Sequence, residues 1–304
     1  MANAREIRRH MKSVSNIGKI TKAMKMVAAA RLRRAQERAA ASRPYAIKIR
    51  EVLSHVVADK GILAGLDIKK HPLLQKRENI KKVAYLVVCS DKGLAGAYSS
   101  NVLKMALAEI NQCPHETVII TSGRKAKDFF QHRGYNVVKY HLGFSDRPQY
   151  ENAAAIAQDA AKRFADGEFD ELYIFYTVFK TALSQIPVME KVLPVEPPAQ
   201  DDKVEKSESS EKGVNAEFMF EPSEDEILSV LAPKYLETIV YAALVQSAAS
   251  ELGSRMTAMT SATDNAAALV SNLELSYNKA RQAGITGELN EIVGGVEALK
   301  QAQE

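Results

Sequence analysis

The chain has 304 residues, of which 46% are hydrophobic, and a formal net charge of +4 at pH 7. This composition excludes a wholly disordered protein, and the length allows one or two folded domains. The two cysteines, Cys89 and Cys113, are too few for a disulfide framework, and the six histidines show no paired metal-binding spacing. We therefore expect no metal site and no bound cofactor.

Positive charge is concentrated near the beginning of the chain. Residues 1–50 contain 14 Lys and Arg residues but only two carboxylates, Glu6 and Glu37, so this segment carries +12. The net charge of +4 then leaves −8 for the remaining residues. Such an excess favours an acidic partner surface, which could be nucleic acid, anionic lipid or an acidic protein. A basic face that is only solvated is the alternative.

Residues 1–60 are predicted to form one long helix. No proline precedes Pro44, and the stretch from Ile20 to Gln36 consists mostly of strong helix formers. Apolar residues at steps of three and four predict a buried stripe on this helix, made of Ile7, Met11, Val14, Ile17, Ile20, Met24 and Val27. We find no uninterrupted apolar run long enough to span a membrane, and the basic helix is longer than a typical transit peptide.

Residues 75–198 show the hydrophobic pattern of an α/β domain. Short runs rich in β-branched and aromatic residues predict four strands, at 81–90, 116–123, 135–140 and 170–179. Residues 184–194 predict an additional edge strand, where Pro187 is tolerated. Helical stretches lie between the strands, and this alternation predicts a mostly parallel sheet with right-handed crossovers.

A second long helix is predicted over residues 222–302. The acidic insertion before it, at 199–216, has almost no apolar side chains and is predicted to be flexible. This helix carries a heptad seam made of Ala249, Leu252, Met256, Met259, Thr263, Ala266, Val270, Leu273, Tyr277, Ala280 and Gly284. We expect the seam and the N-terminal stripe to cover each other in a long antiparallel coiled coil within one chain. A homodimeric coiled coil is the alternative.

The turn CSDKGLAGAYSSN, at residues 89–101, is the strongest candidate for chemistry. It follows a strand, turns through Gly93 and Gly96 and begins a helix, as phosphate-binding loops do. Its spacing fits neither GxGxxG nor GxxxxGK[ST], so we favour a structural turn. No nucleophile motif is recognisable, and we predict no catalytic residue. Three interpretations remain: a basic coiled-coil nucleic-acid or scaffold-binding protein, a small α/β enzyme, or a helical rod that inserts into an acidic partner.

Three stretches of the sequence carry a family resemblance. They are residues 2–36 with the SRPYA that follows, the turn SDKGLAGAYSSN, and the closing ATDNAAALVSNLELSYNKARQAGITGELNEIVGG. Together, and in this order, they resemble the γ subunits of bacterial-type (F-type) ATP synthases. The resemblance spans both ends and the middle of the chain, and it implies a paired helical shaft joined to a central Rossmann-like domain.

The resemblance also implies a function. A family member is the central rotor stalk, which couples proton flow through a membrane ring of c subunits to ATP synthesis or hydrolysis in an α3β3 head. Catalysis belongs to the β subunits, so this chain would not be an enzyme by itself. The implied partners are the α, β and ε subunits and the c ring, with no nucleic acid. Membrane association would arise only through the complex, at the cytoplasmic face of the bacterial cell membrane.

The family match further suggests which residues contact partners. Those that would face the acidic lobes of β are Lys22, Met24, Lys25, Arg31, Arg33 and Arg34. Those that would engage the loops of the hexamer around the shaft are Arg281, Gln282 and Thr286.

Overall fold

The computed structural model describes residues 4–58, 71–195 and 224–301. The elements in chain order are α1 (Ala4–Ala58), a 3-10 turn (Pro72–Leu74), β1 (Lys82–Val88), α2 (Tyr98–Gln112), β2 (Glu116–Ser122), α3 (Arg124–Gln131), β3 (Val137–His141), α4 (Tyr150–Ala165), β4 (Glu171–Phe179), β5 (Gln185–Leu193) and α5 (Glu224–Gln301). The predicted insertion at 199–216 lies outside the described residues.

Two compact units make up the chain, and both long helices contribute to each. The first unit contains Met1–Ala28 and Arg255–Glu304, and the second contains Ala29–Ser254. The predicted boundaries of the shaft helices and of the α/β domain stay predictions.

The second unit is built on a five-stranded sheet with the strand order β3-β2-β1-β4-β5. Strand β1 pairs in parallel with β2 and β4, and β2 pairs in parallel with β3. The last strand, β5, runs antiparallel to β4 at the edge, where Pro187 is tolerated because one side of an edge strand needs no hydrogen-bond donors. The predicted α/β fold with a mostly parallel sheet and one added edge strand is confirmed.

Both faces of the sheet are covered, which explains why β1 is a continuous apolar run. Val83, Tyr85 and Val87 point into the core shared with α2 and α3, while Ala84, Leu86 and Val88 point into the core shared with α4 and the start of α5. This alternation follows from the two-residue period of a strand.

The first part of α5 is the central helix of the core that it shares with α4 and the sheet. Leu228, Leu236, Val240 and Leu244 are each at most 3% exposed. By length and composition one helix segment, Glu226–Val296, is apolar enough to cross a membrane, with a mean hydropathy of 1.4 in its most apolar 18-residue window. Since 56% of that window is buried inside the protein, the segment resembles a core helix.

In the first unit, α1 and α5 pack as an antiparallel pair. Thr21 lies beside Thr263, while Gly18, earlier in the chain, lies beside Ala266, later in the chain. From Met256 to Ala280 the predicted seam of α5 is confirmed, because each of its positions in that range is buried or half-buried. A single chain therefore supplies both helices of this antiparallel coiled coil.

The predicted stripe on α1 is partly wrong. Val14 is buried, but Ile17, Ile20 and Val27 are 51%, 59% and 52% exposed. Beyond Val14 the buried face is instead made of small residues, with Gly18 half-buried, Thr21 at 8% exposure and Ala28 at 2%. A β-carbon added at Gly18 would lie 3.3 Å from the Ala266 β-carbon, so the helices approach too closely for large side chains between them.

Candidate functional site

The turn at residues 89–101 is held by its own chain. The Asp91 carboxylate accepts hydrogen bonds from the backbone N–H groups of Arg124 at 3.1 Å, Gly143 at 2.9 Å and Ser145 at 3.1 Å. The Asp91 N–H in turn donates to the Ser145 hydroxyl at 2.9 Å. Because the Asp91 carboxylate binds backbone N–H groups at the start of α3 and in the loop after β3, it ties the turn to its neighbours, which supports the structural interpretation of the turn.

A close backbone crossing lies next to this turn. Gly123 has a φ of +102°, and a β-carbon at this position would lie 2.2 Å from the Cys89 carbonyl oxygen. Cys89 is 1% exposed, and its burial raises the pKa of the thiol to about 11. A raised pKa and burial disfavour the reactive thiolate at neutral pH, which agrees with a packing role.

Of the six residues expected to face a partner on α1, three lie in the first unit. Lys22 is exposed, and Met24 and Lys25 are half-buried. The neighbouring Met26 is 59% exposed, so it offers the larger thioether surface. Sequence stepping placed Met24 in the seam as readily as on the surface, and its intermediate burial agrees with a position at the edge between the two.

The three arginines of this set lie in the second unit and differ in their surroundings. Arg31 forms an ion pair with Asp146, in the loop after β3. Arg33 pairs with Glu37 one turn later, at 3.2 Å, and both side chains are mostly exposed. Arg34 is exposed, and its side chain forms no hydrogen bond or ion pair within the described part of the chain.

Arg281, Gln282 and Thr286 all lie on the exposed surface of α5. None of their side chains forms a hydrogen bond or ion pair with another described residue. Their role in partner binding stays a prediction.

The sequence analysis missed a surface of large apolar side chains on the helix pair. On α1 it includes Ile17, Ile20, Met26 and Val27, and on α5 it includes Leu275, Ile285, Leu289, Ile292, Val293 and Val296, all at least 48% exposed. We call these ten residues the apolar shaft surface. A usable signal was present, because Gly18, Thr21 and Ala28 form a stripe of small residues at steps of three and seven, beside the large residues that we assigned to the seam.

The described surface of the helix pair suits protein binding. Among residues 4–58, 71–195 and 224–301 no group of three or more His, Cys, Asp or Glu side chains is placed to hold a metal ion. What the described surface offers is a basic helix followed by an extensive apolar face, which is the chemistry of a protein interface.

Comparison with known sequences identifies close relatives. A sequence model of the family described as ATP synthase matches residues 3–299. The ATP synthase gamma chain of Desulforamulus reducens is 43% identical over 300 residues, which cover 99% of this chain and 100% of the relative. The ATP synthase gamma chain of Brevibacillus brevis is 46% identical over 297 residues, which cover 97% of this chain and 98% of the relative.

Solved structures share the fold at lower sequence identity. A chain of the Euglena gracilis mitochondrial ATP synthase, from a structure of OSCP, F1 and the c ring, matches with a TM-score of 0.67 and 18% identity, covering 99% of this chain and 96% of that chain. A chain of the Tetrahymena thermophila mitochondrial ATP synthase, from a structure of the central stalk and c ring, matches with a TM-score of 0.58 and 24% identity, covering 80% of this chain and 99% of that chain.

Proposed function

The chain belongs to the family of ATP synthase gamma chains, and we propose that it works as follows, as the central rotor stalk of an ATP synthase. It couples proton flow through a ring of c subunits to ATP synthesis or hydrolysis in an α3β3 head, and it catalyses neither reaction by itself. Its partners are the α, β and ε subunits and the c ring. It reaches the membrane only through the complex, at the cytoplasmic face. The similar Tetrahymena chain comes from a central stalk with its c ring, which supports these assignments.

The apolar shaft surface is the observation that carries this proposal. On α1 the seam of small residues leaves Ile17, Ile20 and Val27 outside, and on α5 large aliphatic residues between Leu275 and Val296 are exposed. Large apolar side chains exposed in such number favour a protein interface, because covering them with a partner removes apolar surface from water. A sleeve of partner subunits around the helix pair covers these residues and leaves room for rotation.

The cationic residues of α1 suit a contact that must be made and released repeatedly. Lys22 and Arg34 are exposed, and exposed ion pairs are each worth only about 0 to 1 kcal/mol, so exchange between acidic partners is easy. Arg33 exchanges its own Glu37 for a carboxylate of β as the shaft turns. Met26 adds a soft, polarizable contact that does not fix one angle.

Coupling follows from the asymmetry of the pair. The two helices differ in sequence, so the shaft presents different side chains to three chemically identical β subunits. Each β subunit is biased toward an open or a closed state by the difference in contact energy, as any shift in population requires. Rotation passes these biases from one β subunit to the next. The alternative of a nucleic-acid or scaffold-binding protein is not favoured, because the full-length relatives are ATP synthase gamma chains.

The test is the composition of the complex that forms around this chain. We expect an affinity tag on the chain to recover, at moderate salt, a particle whose intact mass fits three α, three β and one copy of this chain. Leu289→Asp places a charge on the apolar shaft surface and should lower the recovery of α3β3 strongly. Leu183→Asp, at an 84% exposed position between β4 and β5, is the matched control and should leave it unchanged. Recovery of a homodimer or of nucleic acid in place of α and β would overturn the proposal.

A further inference from the structure

A small arginine-lined cavity lies in the second unit, where α1, the loop after β3 and α5 meet. It has a volume of about 130 Å³. It is lined by Arg31, Arg34, Ala35 and Arg38 of α1, by Asp146, Arg147 and Pro148 of the loop, and by Val245 and Ala248 of α5. A cavity of this size has room for several water molecules or for one compact ion.

The charges around this cavity are unbalanced. Asp146 is its one carboxylate, and Asp146 already pairs with Arg31 and, at 3.6 Å, with Lys92. The side chains of Arg34, Arg38 and Arg147 form no hydrogen bond or ion pair with any described residue. Three arginine residues therefore line one small space, and no described carboxylate pairs with their side chains.

The wall of the cavity strengthens its attraction for an anion. Val245 and Ala248 are each 1% exposed, Ala35 is 7% exposed, and Pro148 is buried as well. An apolar floor lowers the local dielectric constant, which raises the interaction energy of charges at its surface relative to charges in open water. Arginine also presents a planar fork of N–H donors that matches the paired oxygens of a tetrahedral oxyanion.

We propose that this cavity is a binding site for a phosphate group. The number of unneutralised guanidinium groups fits an anion of charge near −2 better than a chloride or a single carboxylate. The phosphate group comes either from free inorganic phosphate or from the end of a nucleotide. When bound, it ties α1 to the loop after β3 and to α5, and so stiffens the second unit. The site shares Arg31 and Arg34 with the contacts to β proposed above, so a bound phosphate and a carboxylate of β compete for Arg34.

Calorimetric titration of the isolated full-length chain tests the proposal, with inorganic phosphate, ADP and ATP as separate ligands at constant ionic strength in chloride. We expect saturable binding of phosphate and a higher midpoint of thermal unfolding in phosphate than in chloride, as linkage requires. Tighter binding of a nucleotide than of phosphate would identify a nucleotide as the source. Equal or weaker binding would identify the free ion.

Two charge-removing variants locate the site, Arg38→Gln and Arg147→Gln. Each should weaken binding about tenfold or more, since hydrogen bonds to charged groups are among the stronger polar interactions. Arg147→Lys keeps the charge but loses the planar fork of donors, so its affinity for phosphate should lie between that of the unmodified chain and that of Arg147→Gln. Arg9→Gln, at an exposed position of the first unit, removes the same charge elsewhere and should leave binding unchanged. Non-saturable binding, or equal losses in Arg9→Gln and Arg38→Gln, would refute the site without affecting the rotor proposal.

Discussion

The hydroxyl oxygens of Thr21 in α1 and Thr263 in α5 lie 2.9 Å apart across the helix pair. Each hydroxyl also lies near a carbonyl oxygen of its own helix, Gly18 at 3.1 Å and Met259 at 2.7 Å. A hydroxyl carries one hydrogen, so at most two of these three contacts are hydrogen bonds at any one time, and either threonine can be the donor across the pair. This polar pair fixes the register of the small-residue seam.

Gly18→Val should destabilise the helix pair. A β-carbon here already approaches the Ala266 β-carbon at 3.3 Å, so a branched side chain must push the helices apart. Overpacking of this kind costs about 1 to 3 kcal/mol. Thermal unfolding followed by circular dichroism should show a lower midpoint. Gly284→Val is the control, since a β-carbon at Gly284 meets nothing within 4 Å, and an equal loss in both variants would contradict the close seam.

Gly123→Ala should destabilise the second unit much more than Gly134→Ala. Both glycines have a positive φ, +102° and +76°, which costs a residue with a side chain about 1 to 2 kcal/mol. Only the alanine at 123 also clashes, since its β-carbon would lie 2.2 Å from the Cys89 carbonyl oxygen. Urea unfolding of both variants measures the difference. Similar midpoints for the two would mean that the backbone crossing at Cys89 is not tight.

Asp170→Asn should lower stability near neutral pH and reduce its dependence on pH. Burial would raise the pKa of Asp170, but hydrogen bonds from the backbone N–H groups of Lys82 and Lys81 and from the Arg77 guanidinium outweigh it and lower the pKa. The charged form is thus favoured in the folded state, and we expect the variant to lose about 2 kcal/mol at pH 7.

The stabilisation from Asp170 is fully present above the pKa of an unfolded aspartate, about 3.9, and is lost as the pH falls through the lower folded value. The urea midpoints of the two proteins should therefore converge as the pH falls below about 4, the pKa of an unfolded aspartate. Asp166→Asn, at an exposed position, is the control and should change little. A constant gap between Asp170→Asn and the unmodified chain at every pH would argue against this ionic role.

Gln282→Leu should weaken coupling in the assembled enzyme and leave the isolated chain folded. Gln282 is exposed on α5, and its side-chain amide has no hydrogen bond to any described residue, so the fold does not depend on that amide. In membrane vesicles that contain the complex we expect less ATP-driven proton pumping for each ATP hydrolysed. Unchanged pumping would remove Gln282 from the set of partner contacts.

The strands illustrate what the sequence could predict. The prediction of 116–123 matches β2 at Glu116–Ser122 because β-branched residues and flanking turn residues act locally. The order of the strands depends on long-range pairing, which no local pattern contains. Local patterns also could not predict the contacts of Asp91 with Gly143 and Ser145, because these residues lie more than 50 positions further along the chain.

The stripe on α1 shows where local reasoning fails. Two interleaved stripes were available, one of large residues through Ile17 and Ile20 and one of small residues through Gly18 and Thr21. Hydrophobicity favoured the first, but the distance between the helix axes selects the second, and that distance depends on Ala266 of the partner helix. The large residues were left for an interface that one chain cannot reveal by itself.

The apolar shaft surface has a consequence for the life of the newly made protein. A chain that has not yet joined its partners presents Leu289, Ile292 and Val293 to water, each more than half exposed. Such surfaces promote aggregation and attract chaperones and proteases, whereas a chain enclosed by its partner subunits no longer exposes them. The cellular amount of the chain should therefore follow the supply of its partners, with excess copies degraded, so that one rotor is retained for each head without a separate counting mechanism.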